Sequence, residues 1–278
     1  MSRRKPAVAG TFYPSNRQKL TELLEKLDRN VQEVDLPEKI NILGGIVPHA
    51  GYSYSGSVAM SFFKLLSKYN TSFDTLVILH PNHHGYGADI ATDPNDEWET
   101  PLGVVSVDKS FSDALQLAPS HAAHAHEHSA EVMIPFMQYT LPFSFSIVAV
   151  AMKQQDPETA LILTKKLTNA MQVTGKRVLV IASCDFSHYV RVEQGIALDN
   201  KVLPHIMSLD YASVYSTVMR HNISMCGYGP IMTLTALFKE LQPPAKTHLL
   251  ERGHSGLINR SDRVVHYISM LYYQDSDQ

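Results

Sequence analysis

The sequence predicts a three-layer α/β/α sandwich with a mostly parallel central sheet, and three observations carry that prediction. Apolar runs recur at 40–47, 75–80, 145–152, 177–183 and 264–273. They are nearly continuous rather than alternating, as in strands covered on both faces. Stretches with helical spacing of apolar residues lie between them, and strands alternating with helices favour a parallel sheet with a helical layer on each side. The chain has 278 residues, 44% of them hydrophobic. That is enough for one large core, so residues 1–278 read as a single α/β domain.

The elements follow in order. "SNRQKLTELLEKLDR" has leucines at helical spacing and Ser15 as the expected N-cap. "INILGGIV" is the first core strand, "SGSVAMSFFKLLSKY" the helix after it, and "TLVILH" the second strand. Gly87 to Asp108 reads as a long loop broken by short strands, because "DPND" and "TPLG" hold the residues that turns require. Ser129 is expected to cap a helix "AEVMIPFMQY", with Glu131 in its first turn offsetting the helix dipole. "FSIVAVAM" is the third strand, and "DPETALILTKKLTNAMQ" is a helix with Pro157 in its first turn. "RVLVIAS", the helix "GPIMTLTALFKEL" and the strand "VVHYISMLYY" complete the pattern, with no internal repeat.

Composition narrows the function. Lys and Arg total 24 against 27 Asp and Glu, a net charge of −3, so no nucleic-acid partner is expected. No apolar stretch approaches the ~20 residues of a membrane span, so no membrane partner is expected. "MSRRKPAVAGTFYPS" has basic residues but no long apolar run after them, and is a poor signal peptide. Two cysteines, Cys184 and Cys226, do not make a disulfide framework, which points to a reduced, cytoplasmic setting. A homo-oligomer stays open.

The 14 histidines are the anomaly. In open α/β sheets, ligands bind beyond the carboxyl ends of strands. "ILGGIV" is followed by His49, Tyr52 and Tyr54; "TLVILH" by His83 and His84; "RVLVIAS" by Cys184, Asp185, Ser187 and His188. One histidine at a strand end is usually a hydrogen-bonded turn residue, but three strand ends that each deliver an imidazole suggest a metal site. Such a site needs neutral imidazoles oriented by hydrogen-bonding partners, a third ligand and open positions. "HAAHAHEHSAEV" is a rival, a His-rich tract that binds metal loosely; Glu127 and His128 either face the site or lie in a solvated loop. Cys226 precedes two glycines and a helix start, a setting that lowers a thiol pKa, although a free Cys is more often a buried hydrophobe. Cys184 lies inside an apolar strand and reads as core.

"AGTFYPS", "VPHAGYSYSG", "ILHPNHHG", "WETPLG", "EHSAEV", "SCDFSHY" and "MCGYGPI" resemble, in order, the motif series of the Memo family. Its eukaryotic member is a mediator of ErbB2-driven cell motility, and its bacterial and archaeal members are called AmmeMemoRadiSam system protein B. The family is similar in fold to class III extradiol dioxygenases, which use non-haem Fe(II). The resemblance implies metal ligands at His49, His83 and Cys226, and an acid–base histidine at His188. With it go orienting or substrate-binding roles for Asp185 and Glu127, a pocket position for His128, and a pocket mouth closed by Tyr52 and Tyr54 or simple aromatic packing there. Ring-cleaving enzymes complete the triad with a carboxylate, whereas this chain offers a thiolate, which shifts metal preference towards Cu(I), Zn(II) or thiolate-bound iron. His80 stands where glycine is expected in the eukaryotic member, an extra imidazole that alters the pocket. His84 is the expected outer partner of the site. Three functions are therefore open: an iron-dependent dioxygenase-like oxidoreductase, a non-catalytic adaptor that binds a small-molecule or peptide ligand, and a zinc hydrolase.

Overall fold

The computed structural model describes residues 1–69 and 71–276. Thr75–Pro81 lies at the centre of the sheet, parallel to Ser146–Met152 on one side and to Val178–Ser183 on the other. Val178–Ser183 pairs parallel with Ile40–Val47. His266–Asp275 adds antiparallel to Ile40–Val47, and Lys246–His254 closes that margin, again antiparallel. At the other margin Gly103–Val107 runs parallel to Ser146–Met152, Glu97–Thr100 folds back against it, and Arg3–Arg4 pairs outside. The sheet is thus parallel at its centre and mixed at both margins.

The continuous apolar runs have a direct cause. Leu179 and Ile181 pack into one core, and Val180 and Ala182 into the other. Successive side chains of a strand point to opposite faces, so a strand buried on both sides is apolar throughout. The helices Arg17–Arg29, Tyr52–Lys68 and Ile134–Thr140 cover one face through Leu20, Phe63 and Phe136. Pro157–Thr174, Val192–Met207, Tyr211–His221 and Tyr228–Lys239 cover the other through Leu163, Val202, Val214 and Ile231.

Local chemistry differs from expectation at two helix starts. Asn16, not Ser15, caps the first helix, accepting from the Lys19 N–H at 3.1 Å. Ser129 caps nothing: Glu131–Met133 is a 3₁₀ turn that runs on into Ile134–Thr140. Glu131 stands in the first turn as expected, but its carboxylate is bound by the N-terminal segment. It is fully buried and accepts from Arg4 at 2.7 Å, from the N–H groups of Ala7 and Val8, and from the Tyr13 hydroxyl at 2.7 Å. It therefore pins the N-terminal segment onto the domain. Elsewhere the local signals hold: Asp156 caps its helix from Thr159 N–H, with Pro157 at the first position. Among the described residues, no helix is long and apolar enough to cross a membrane.

Candidate metal site

Three adjacent parallel strands deliver the site. Ile40–Val47 leads to His49, Thr75–Pro81 to His83, and Val178–Ser183 to Asp185 and His188. Cys226 arrives from the opposite helical layer, at the turn before Tyr228–Lys239. Gly227 makes this approach possible. A Cβ on it would sit 2.3 Å from the Ser183 carbonyl oxygen and 2.8 Å from Cys184 Cβ, so the backbone closes to a distance only glycine permits.

One ligand atom from each of His49, His83 and Cys226 lies within 4.8 Å of the others. Residues 177 positions apart in sequence meet here, with Cys226 Sγ 3.3 Å from His49 Nε2. The His49 tautomer follows from its neighbours. Ser183 Oγ donates to the Ser129 carbonyl at 2.7 Å, so it must accept from His49 Nδ1–H at 2.6 Å. The His49 Nε2 lone pair then faces Cys226. Burial, with repulsion from His83 and His128, holds the His49 pKa well below its ordinary value, so the ring is neutral.

His83 is oriented by Glu127. Its Nδ1 donates to Glu127 Oε1 at 2.9 Å, and its backbone N–H donates to Oε2 at 2.7 Å. The same Oε1 accepts from the N–H groups of His128 and Ser129 and from the Ser129 hydroxyl. Burial would raise the Glu127 carboxyl, but the His83 imidazole and these donors hold it far below the carboxylate range. Burial likewise pulls His83 down, yet the Cys226 sulfur and the Glu127 carboxylate outweigh it and hold its pKa up at about 10. Burial and the neighbouring Cys184 thiol push the Cys226 thiol up. A cation entering here would displace protons from both His83 and Cys226.

His83, Glu127 and His128 form a second group of the same compactness. Glu127 Oε1 takes four protein donors and Oε2 takes the His83 N–H, so the carboxylate is placed to orient His83. His128 stacks on His83, ring centroids 5.0 Å apart, and packs at a tilt against Phe12 at 4.7 Å. Burial lowers its pKa to about 4, and it lines the pocket as a neutral ring.

Asp185 and His188 complete the floor. Asp185 Oδ1 accepts from the His49 N–H at 2.8 Å, and burial raises its carboxyl to about 7. His188 Nδ1 donates to the Ser224 carbonyl at 2.7 Å, leaving Nε2 as the free nitrogen; burial lowers its pKa. A cavity of about 530 Å³ opens over these groups, rimmed by Phe12, Tyr54, Tyr189 and Tyr267. Among the described residues no lysine or arginine lines it.

Several expectations change. Tyr54 is at the mouth, its hydroxyl accepting from Asn259, whereas Tyr52 is 2% exposed and donates to the Val132 carbonyl from the core. His84 is exposed and donates to the His126 carbonyl, away from the site. His80 does not enter the pocket. It is fully buried, with Nδ1 shared between the Pro81 carbonyl and Ser129 Oγ, and Ser129 Oγ in turn bonds Glu127 at 2.8 Å. The outer partner of His83 is thus reached from His80, not His84. Ser183, the hydroxyl that sets the His49 tautomer, passed unnoticed because it ends an apolar strand; its one signal is a polar residue at that strand's carboxyl end.

Residues 4–271 match the family model described as "Memo-like protein". A "MEMO1 family protein" of Methanosarcina mazei is 36% identical over 275 residues, covering 98% of this chain and 99% of the relative. One from Archaeoglobus fulgidus is 38% identical over 273 residues, covering 97% and 99%. The crystal structure of an uncharacterized Escherichia coli K12 protein superposes with a TM-score of 0.51 at 8% identity, covering 82% of this chain and 99% of that one, and shows a fold of the same kind.

Proposed function

The chain belongs to the Memo-like family, and on that premise we propose that it is a metal-dependent, dioxygenase-like oxidoreductase in which His49, His83 and Cys226 hold Fe(II). The observation that carries this reading is the convergence of two oriented imidazoles and one thiol, all within 4.8 Å. The donor set fits a first-row cation: two nitrogens with fixed tautomers, one anionic sulfur, and a pocket on the open side. Bound there, Fe(II) would supply O₂ activation and polarise a chelating substrate. The chain's own residues do the rest. Glu127 and Ser183 hold the imidazoles in register. His188, with Nε2 free, stands at the pocket wall as the group that takes a proton from a substrate hydroxyl and returns it. Asp185 fixes the His49 backbone, and the aromatic rim excludes water from one side of the substrate.

The test has two parts. Anaerobic purification with elemental analysis identifies the metal, and an oxygen electrode with catechol-type substrates measures turnover. His49→Ala and Cys226→Ser are each expected to abolish tight metal binding. Undiminished binding in both removes this ligand set.

The thiolate favours one second reading, a zinc hydrolase, in which the cation would supply an acidic water and His188 would accept its proton. Bound zinc with ester or amide hydrolysis, and no O₂ uptake, would select it. Among the described residues no Lys or Arg lines the pocket, which speaks against an adaptor that grips an anionic phosphate here.

A further inference from the structure

Cys184 and Cys226 are the chain's only two cysteines, and both are free. They converge on one atom. Cys184 Sγ–H donates to the Asp185 carbonyl at 3.1 Å, and Cys226 Sγ lies 3.5 Å from the same oxygen. Gly227, next to Cys226, donates its N–H to Cys184 Sγ at 3.1 Å. Both sulfurs thus lie within 3.5 Å of one carbonyl oxygen. The backbone contact that Gly227 allows puts the segment 226–227 directly against Cys184 Cα and Cβ. Their access differs: Cys226 lines the open pocket, whereas Cys184 is fully buried behind it. A pocket-facing sulfur whose proton the His49 Nε2 lone pair, 3.3 Å away, can take, backed by a second thiol, is the arrangement of a sensing cysteine and its resolving partner.

We propose that this pair is an oxidative modification site, at which hydrogen peroxide entering the pocket oxidises Cys226 and Cys184 resolves it to an internal disulfide. In the first step the Cys226 sulfur attacks one peroxide oxygen. The O–O bond breaks, a sulfenic acid forms, and the departing hydroxide leaves as water with the thiol proton. In the second step the Cys184 sulfur attacks Cys226 sulfur. The S–S bond forms, the S–O bond breaks, and a second water carries off the Cys184 proton. Two thiols are oxidised and one peroxide is reduced to two waters. The product withdraws the Cys226 sulfur from the pocket. Its effect on metal binding rests on the ligand set proposed above; the disulfide itself does not.

The experiment uses the full chain stripped with a chelator, treated with hydrogen peroxide, denatured, alkylated without reductant and digested with trypsin. The expected result is a cross-link between peptides 178–191 and 221–239, with free thiols falling from two to none and returning with dithiothreitol. Sulfinic or sulfonic acid at Cys226, with Cys184 still alkylatable, would overturn the proposal. In Cys184→Ala, peroxide is expected to carry Cys226 past the sulfenic stage; oxidation products identical to those of the parent would also overturn it. Zinc loading before peroxide separates the two claims. A cross-link that zinc does not slow removes the metal ligation but leaves the disulfide site standing. Zinc binding without any cross-link in the stripped chain does the reverse.

Discussion

Glu127→Gln is the most informative single change, because it keeps the side chain's shape while removing the charge and one acceptor. Oε1 takes four donors, from His83 Nδ1 at 2.9 Å, His128 N at 2.9 Å, Ser129 N at 3.0 Å and Ser129 Oγ at 2.8 Å. Oε2 takes the His83 N–H at 2.7 Å. The amide does best with its oxygen on the four-donor side, which turns its NH₂ towards the His83 N–H, donor against donor. The remaining bonds lose charge assistance and roughly half their strength. His83 loses the anion that favours Nδ1–H, so its other nitrogen is no longer held ready for a cation. Removing such a partner typically costs ~10–100-fold in metal affinity, or ~1.4–2.8 kcal/mol. The assay is competition of the full chain with a chromophoric chelator for zinc, alongside urea unfolding of the metal-free chain, where the unpaired donors should cost about 1–3 kcal/mol. A zinc affinity within about threefold of the parent, below the ~10-fold minimum for such partners, would refute the orienting role.

Arg4→Met leaves the buried Glu131 carboxylate without its counter-charge, and should destabilise the fold by about 3–5 kcal/mol in chemical denaturation; a loss below ~1 kcal/mol would count against the buried pair. Asp108 gives a pH prediction. Burial raises its carboxyl, but the Lys176 ammonium and the Thr75 hydroxyl outweigh this and hold it at about 2. A folded pKa below the ordinary ~3.9 stabilises above that pH, so on the order of 1–2 kcal/mol should be lost as pH falls from ~4 towards ~2. Lys176→Met should flatten this part of the urea-midpoint profile, and an unchanged slope would refute the assignment. Gly227→Ala places a Cβ 2.3 Å from the Ser183 carbonyl oxygen; the backbone must shift, lowering thermal stability by about 1–3 kcal/mol and weakening zinc binding with it.

Much of the fold was legible because its signal is local and repeated. The five core strands announce themselves as unbroken apolar runs, and Asp156–Pro157 marks a helix start by side-chain chemistry alone. The missed elements lack such marks. Val192–Met207 carries Gly195 and Pro204 in its interior, and the edge strand Lys246–His254 is polar and half-buried along its length. At the site, strand ends bring His49, His83 and His188 to one edge, which the order of motifs suggests. Ser129 as a cap and Glu131 as a dipole partner are local explanations, and local patterns do not show what these side chains bind. Their actual partners, Pro81, Arg4 and Tyr13, lie 48 to 127 positions away. Tyr52 and Tyr54 cannot be told apart without knowing that a helix begins between loop and core, turning one ring inward and the other out.

The tie between Arg4 and Glu131 also orders events in time. Arg4 is synthesised 127 positions before the carboxylate that neutralises it, and it grips the carbonyls of His124 and Glu127 as well. A ribosome must therefore deliver half the polypeptide before this guanidinium has anywhere to settle, and contacts of such span are slow to close. Until they do, the loop bearing Glu127 lacks one of its anchors, so the ordering of His83 should lag behind the collapse of the central strands.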